Sequence, residues 1–397
     1  MSMKNIIFIL LLSGVFPCTW NVSQAAEYEA VPEYQAALQK NLARAGGNRT
    51  ELLKALAEVP QVHAKAMQFL ISYMPERDCR ELKAVFLLNN IAWAYKARET
   101  FPWAGEVPEE VFFNDVLPYV SLNERRDDWR EDFFKRFSKY AKGAKTQEEA
   151  LLAINKHILN EVKVKYSTQR EKADQSPYES MRQGVASCTG LSILLTDAFR
   201  AVGIPSRVAG IPAWTTKRGN HNWVEVWTSA DKQWHFTEYY PDKKGLDHGW
   251  LLADAARGNA KSFYHSIYAS TWKPTGEHFP LVWDMKIKYV QALNVTERYV
   301  KLGGGKVAGD VCELRIHFIK EGKRLKTSVA VRQGDVKMGQ GTSPKVTDDM
   351  NRYLVIKVRK GQIYQVMWKD PVSGERRVKH VTTPKNKGWL LVNLSEK

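Results

Sequence analysis

The segment from Ala186 to Arg207, ASCTGLSILLTDAFRAVGIPSR, limits the fold more than any other. After a small-residue start, Leu191, Ile193, Leu194, Leu195, Ala198, Phe199 and Val202 place apolar side chains nearly all the way round a helix. Such a helix has almost no face to offer solvent, so the rest of the chain must wrap it. Gly203-Ile204-Pro205 ends it, because glycine accepts the left-handed turn and proline cannot continue a helix.

The sequence on either side indicates what does the wrapping. Residues 28–160 read mostly as helix. EYQAALQKNLARAG, RTELLKALAEVP and ELKAVFLLNNIAWAYKARETFP carry apolar residues at helical spacing. TQEEALLAINKHILNEV starts with Thr146 followed three residues later by Glu149, a capping-box pattern. The middle of VFFNDVLPYVSLNERRDDWREDFFKRF has a proline and no period, and residues 161–182 read as polar and irregular. After the apolar helix, SRVAGIPAW, HNWVEVWTS and KQWHFTEYY read as strands, the last two forming a hairpin across the turn Ser229–Lys232. Residues 250–272 look partly helical. From about 280 onward the pattern shows only strands with recurring turns, which predicts a β-sandwich over 280–397. The fold class is α+β.

The first residues stand apart. Lys4, the apolar run NIIFILLLSGVFP and the small residues of Ser23–Ala25 fit a cleaved signal peptide over 1–25, and no later stretch is apolar enough to span a membrane. The expected location is therefore secreted or periplasmic. Cys18 follows Phe16-Pro17, a poor context for lipidation. Export leaves Cys79, Cys188 and Cys312, an odd number, so at least one thiol is unpaired. The net charge of +16 is uneven: residues 273–397 carry 25 Lys and Arg against 12 Asp and Glu. That excess fits an anionic lipid, wall polymer or acidic glycan, or simply a solvated basic surface. No nucleic-acid motif accompanies it.

Chemistry gathers around Cys188. It opens the helix, where unpaired backbone N–H groups favour a thiolate. In GNHNWVEVW, His221 starts a strand and shares a face with Trp223, Glu225 and Trp227. QWHFTEYYPD brings Glu238 onto the neighbouring strand, with Asp242 just beyond. A Cys-His-carboxylate set lets an imidazole take the thiol proton while a carboxylate orients the ring. Each member also has a structural alternative: a small buried thiol, a packed histidine, an exposed strand glutamate. HExxH, CxxC, GxSxG and Walker motifs are absent, GGGKVAG at Gly303–Gly309 lacks a following helix, and no metal or cofactor is implied.

CTGLSILLTDAFRAVGIPSRVAGIPAW followed by NHNWVEVWTSADKQWHFTEYYPD resembles the transglutaminase-like superfamily over about 75 residues. That superfamily has a Cys opening a helix that ends in RAxGIPAR, a His in HAWVEVY, and an Asp four residues after a Trp. The resemblance places the nucleophile at Cys188 and the base at His221. LDHGW at Leu246–Trp250 is similar to an exported bacterial group with a helical N-terminal region. The resemblance implies a papain-like core over 151–275, after a helical region at 26–150. Four residues after Trp234 stands Glu238 rather than Asp, so the acid is expected at Glu238, with Asp242 or Asp247 as alternatives.

The backbone N–H of Cys188, with Trp129, Tyr166 or Gln169, is expected at the oxyanion. Trp214, Trp223, Tyr239 and Tyr240 are expected to wall the cleft or pack the core. The expected activity is cysteine-dependent amide hydrolysis or acyl transfer on a protein, peptide or amide-bearing cell-wall or glycan substrate. The alternative is an inactive scaffold of the same fold that binds glycan or protein.

Overall fold

The helix Cys188–Ala201 is buried at every residue from Thr189 to Ala201. One side packs on the helices Arg130–Ala141 and Gln147–Val162, through Phe133, Phe137, Leu151, Ile154 and Ile158. The other side packs on Val224 and Val226 of a sheet. Covering on both sides is what its all-round apolar surface requires. The computed structural model describes residues 28–215, 219–304 and 309–395; the signal peptide expected at 1–25 lies outside them. Among the described residues no helix is long and apolar enough to cross a membrane.

The sheet has five antiparallel strands: β1 (Ser206–Ile211), β2 (His221–Thr228), β3 (Gln233–Thr237), β4 (Tyr268–Thr271) and β5 (Gln291–Asn294), in the order β3-β2-β1-β4-β5. The period of two along β2 points Val224 and Val226 at the Cys188 helix and Trp223 at a second core with Trp214, Phe236, Leu251 and Tyr299. The hairpin β2–β3 forms across the expected turn, pairing Val224 with Thr237. Gly210 of β1 has a specific reason to lack a side chain. A Cβ there would stand 2.3 Å from Asn222 Nδ2 and 2.9 Å from the His221 carbonyl. The close approach sets Asn222 against the helix start, where Thr189 Oγ1 donates to its Oδ1 at 3.1 Å.

The aperiodic stretch between helices Glu109–Asp115 and Arg130–Ala141 is a buried loop whose carbonyls need donors. Two buried arginines supply them. Arg130 donates to the carbonyls of Val116, Leu117 and Pro118, and Arg200 donates to those of Asp115, Pro118 and Val120. Because Arg200 lies in the last turn of the Cys188 helix, these bonds also fix where that helix sits.

Two expectations need correction. Residues 161–182 are not wholly irregular, since Pro177–Gln183 forms a helix with a full capping box between Ser176 and Glu179. The signal was present in Ser-Pro-x-Glu, but seven residues are too few to show a helical period. The region after 280 is also not all strand. Thr296–Leu302 is helical, and β5 belongs to the core sheet through its pairing with β4. Alternation identifies a strand but does not say which sheet receives it.

The C-terminal part is a sandwich. One sheet contains β6 (Val311–His317) between β9 (Leu354–Arg359) and β12 (Trp389–Asn393). The other runs β8 (Val336–Thr342), β7 (Ser328–Gln333), β10 (Ile363–Lys369), β11 (Arg376–Thr382). Cys312, Leu314 and Ile316 of the first face Val329, Val331, Tyr364 and Val366 of the second. The fold is therefore α+β with N-terminal helices, as the sequence predicts.

Candidate active site

Ser187 caps the helix, its Oγ accepting from Gly190 N at 3.1 Å, so Cys188 is the first helical residue. Its backbone N–H is one of those a helix start leaves without an internal carbonyl. Gly190 is tightly enclosed, since a Cβ would meet Ala186 Cβ at 3.0 Å and Ser180 Oγ at 3.3 Å. The Cys188 side chain is partly exposed, while Cys79 and Cys312 are buried. Burial pushes the Cys79 thiol up to about 12 and raises the Cys312 thiol as well. Iodoacetamide at neutral pH is therefore expected to modify Cys188 and spare the other two, which peptide mapping of the native protein would show. Alkylation of Cys79 or Cys312 at a comparable rate would contradict this environment.

His221 is buried at the start of β2, and its Nε2 donates to Glu238 Oε1 at 2.8 Å. Glu238 follows directly after β3, so the hairpin lays the acid beside the histidine. Trp250 Nε1 donates to the same Oε1 at 3.1 Å, and the Glu238 main chain is held by Asn155 at 3.0 Å. Trp250 also packs on the imidazole at 4.8 Å between centroids. The acid and the ring are thus each positioned by a second partner.

The neighbouring carboxylates lie elsewhere. Asp242 is exposed and accepts from Lys244 N. Asp247 accepts from His235 Nδ1 at 2.6 Å and Phe236 N at 2.9 Å. His235 Nε2 meets Asp231 at 2.9 Å. The Asp247 hydrogen bond foremost, with Asp231 adding to it, raises the His235 pKa from 6.5 to about 9. A histidine raised on folding stabilises fully below pH 6.5 and loses that contribution as pH rises through about 9. His235→Gln should therefore lower the urea midpoint at pH 6 and have a smaller effect above pH 9. An equal penalty at both would remove the ion-pair account.

The expected cleft residues separate into two groups. Tyr166, Tyr239 and Tyr240 line a small cavity with Cys188, His221, Glu238 and Trp250. Trp214 and Trp223 lie behind the imidazole in the core, with ring centroids 6.3 and 5.9 Å from it. Trp129 is buried among Phe133 and Phe137 and donates to the Tyr119 carbonyl, away from the cavity. Gln169 is an exposed loop residue whose N–H bonds Ser167 Oγ. Trp129 and Gln169 are thus not placed to meet a group bound at Cys188.

One residue at the site was not foreseen. Asp349, from the loop between β8 and β9 of the sandwich, reaches His221, its Oδ2 standing 3.5 Å from Nδ1. The Cys188 sulfur, a His221 ring nitrogen and an Asp349 oxygen lie within 4.8 Å of one another. Burial alone would lower the His221 pKa. The facing Asp349 carboxylate, together with contacts to Cys188 and Glu238, holds it well above the ordinary value instead. Burial likewise opposes ionisation of Asp349, and the His221 charge outweighs it. Each group favours the charged form of the other. No local signal marks Asp349, which stands in an ordinary polar turn far along the chain.

Residues 135–255, which include Cys188, His221 and Glu238, match the family model described as the transglutaminase-like superfamily. The chain contains a transglutaminase-like core. Among solved structures, the chain is similar to a candidate cysteine protease from Cytophaga hutchinsonii, at 16% identity over 38% of this chain and 50% of that one, with a TM-score of 0.28. A TGase matches at 14% identity over 44% and 45%, with a TM-score of 0.25. Red sea bream transglutaminase matches at 10% identity over 75% and 59%, with a TM-score of 0.26. The chain spans about half the length of these proteins, and overlays this loose carry no argument about what the transglutaminase-like core acts on. No curated protein matches the chain.

Proposed function

We propose that the protein is an exported cysteine-dependent amide hydrolase with Cys188 as nucleophile, His221 as general base and acid, and Glu238 as the residue that orients His221. The observation that carries this reading is the 2.8 Å bond from His221 Nε2 to Glu238. It fixes the ring with its other nitrogen on the side of Cys188 and Asp349. The Cys188 sulfur attacks the amide carbonyl, and the carbonyl oxygen takes up negative charge beside the Cys188 backbone N–H. His221 protonates the departing amine, leaving a thioester on Cys188. Water, deprotonated by His221, then releases the acid and restores the thiol. A second amine in place of water would give acyl transfer by the same route.

The basic sandwich is proposed to hold an anionic wall polymer, glycan or partner, with exposed Lys369, Arg376 and Arg377 among its contacts. A binding module without turnover is the second reading. Asp349 at the thiol side of His221 favours it, as does a cavity of only about 40 Å³.

The deciding experiment follows cleavage of casein peptides and γ-glutamyl amides before and after stoichiometric alkylation of Cys188. Hydrolysis that disappears with alkylation supports the enzyme. Hydrolysis that survives complete alkylation, or none across the panel, sinks it.

A further inference from the structure

The three donors at the cleft converge in a way that turnover does not require. Cys188 offers a thiolate, His221 an imidazole nitrogen and Asp349 a carboxylate oxygen, all within 4.8 Å of one another. Thiolate, imidazole and carboxylate together are the ligand types of a zinc-class cation. In a four-coordinate site with metal–ligand distances of about 2.0–2.3 Å, neighbouring donor atoms are about 3.3–3.6 Å apart. His221 Nδ1 and Asp349 Oδ2, at 3.5 Å, already have that spacing. Cys188 is the one partly exposed member, and its sulfur lies within 4.8 Å of the other two donors.

An independent observation points the same way. His221 Nδ1 and Asp349 Oδ2 are both buried and face each other at 3.5 Å, and neither makes a closer hydrogen bond among the described residues. Their side chains are only 3% and 10% exposed. The outer atoms of the same groups are fully engaged. His221 Nε2 is held by Glu238, which is held in turn by Trp250. Asp349 Oδ1 accepts from the Asn351 backbone at 2.8 Å and from its side chain at 3.1 Å. Arg324 grips the Asp349 and Met350 carbonyls, and Asn351 ties the loop to the Asn220 carbonyl next to His221. A carboxylate on the far nitrogen of a histidine is the usual outer partner of a metal ligand.

We propose that Cys188, His221 and Asp349 form a binding site for one Zn²⁺-class cation, with three protein ligands and a fourth position open to the cavity. That cavity, about 40 Å³, has room for a water. Binding replaces the Nδ1 proton and the thiol proton, releasing both. Coordination withdraws charge from the sulfur and occupies the His221 nitrogen that would move the proton, so occupancy silences the nucleophile. Binding requires the three donors and not turnover, so it stands or falls separately from the amide-hydrolase reading.

The test titrates the full-length, chelator-treated protein with Co²⁺ and reads its absorption spectrum. One equivalent is expected to bind with a thiolate-to-cobalt band in the near ultraviolet and strong four-coordinate bands in the visible, all removed by Zn²⁺. Cys188→Ser should abolish the near-ultraviolet band. Asp349→Asn, which keeps shape and loses charge, should weaken Co²⁺ binding at least 10-fold. Circular dichroism checks that each variant is folded. Absence of the band in the parent protein overturns the proposal, whatever the variants do. Unchanged affinity in folded Asp349→Asn also overturns it, because a Cys-His pair alone would then account for the binding.

Discussion

Cys188→Ala is expected to lower amide turnover by about 10⁴-fold or more, and Glu238→Gln by about 10²–10⁴-fold with little change in KM. The first removes the atom that forms the thioester. The second leaves the fold and the cavity in place but removes the charge opposite His221 Nε2. A glutamine there can hold the ring through its amide NH₂ in the wrong tautomer, and it does not stabilise the imidazolium that forms in both steps. Trp250 donates to that same Glu238 oxygen, so a glutamine can place only one amide atom there: its oxygen keeps both bonds without the charge, and its NH₂ gives up the Trp250 bond and holds the ring in the wrong tautomer. Asp242→Asn serves as the control, being on an exposed turn with its carboxylate engaged by Lys244 N. Steady-state kinetics on the substrate that the alkylation experiment identifies would measure all three. Turnover within a few-fold of the parent in Glu238→Gln would remove Glu238 from the mechanism.

Glu225→Ala is expected to destabilise the protein by about 3–5 kcal/mol, the largest stability effect among these predictions. Glu225 is fully buried on β2. Its carboxylate takes Arg207 Nε at 2.9 Å, pairs with Arg298, and accepts from Tyr299 OH at 2.7 Å. Tyr299 in turn accepts from Trp223 at 2.6 Å. Removing the carboxylate takes the ion-pair partner from the buried Arg207 guanidinium and from Arg298, which is 30% exposed, and neither can neutralise itself by losing a proton near neutral pH. Arg207 lies over the Trp234 ring at 3.7 Å, so it is not free to swing to solvent. Glu225 and His221 stand on one face of β2, and the same network holds the register that presents His221. A urea denaturation series would read the loss. A shift below about 1 kcal/mol would mean that the network relaxes around the missing charge.

The two halves of the site differ in how far they could be read in advance. Cys188 and His221 sit in segments whose pattern sets their local geometry. A capped helix start exposes one, and a strand start next to a tight hairpin exposes the other. Glu238 followed from the same hairpin, because antiparallel pairing brings the residues after the turn back beside those before it. Trp250 was visible in LDHGW without any sign of what its indole would hold. Trp129 and Gln169 were misplaced because standing upstream of the helix start in sequence says nothing about distance across the core. Asp349 had no local signal at all.

By itself the sequence determined the helix that must be buried, the hairpin that pairs histidine with glutamate, and the β-rich C-terminal part. These are outcomes of apolar periodicity, capping and turn chemistry, which act over a few residues. Only the tertiary structure decided that a loop of the sandwich closes on the core and sets Asp349 against His221. That contact depends on how two separately packed layers dock, through Asn351 and Tyr166, with Arg324 shaping the loop from within the sandwich. Docking is set by surface shape and a few long-range hydrogen bonds, and no periodicity in the chain encodes it.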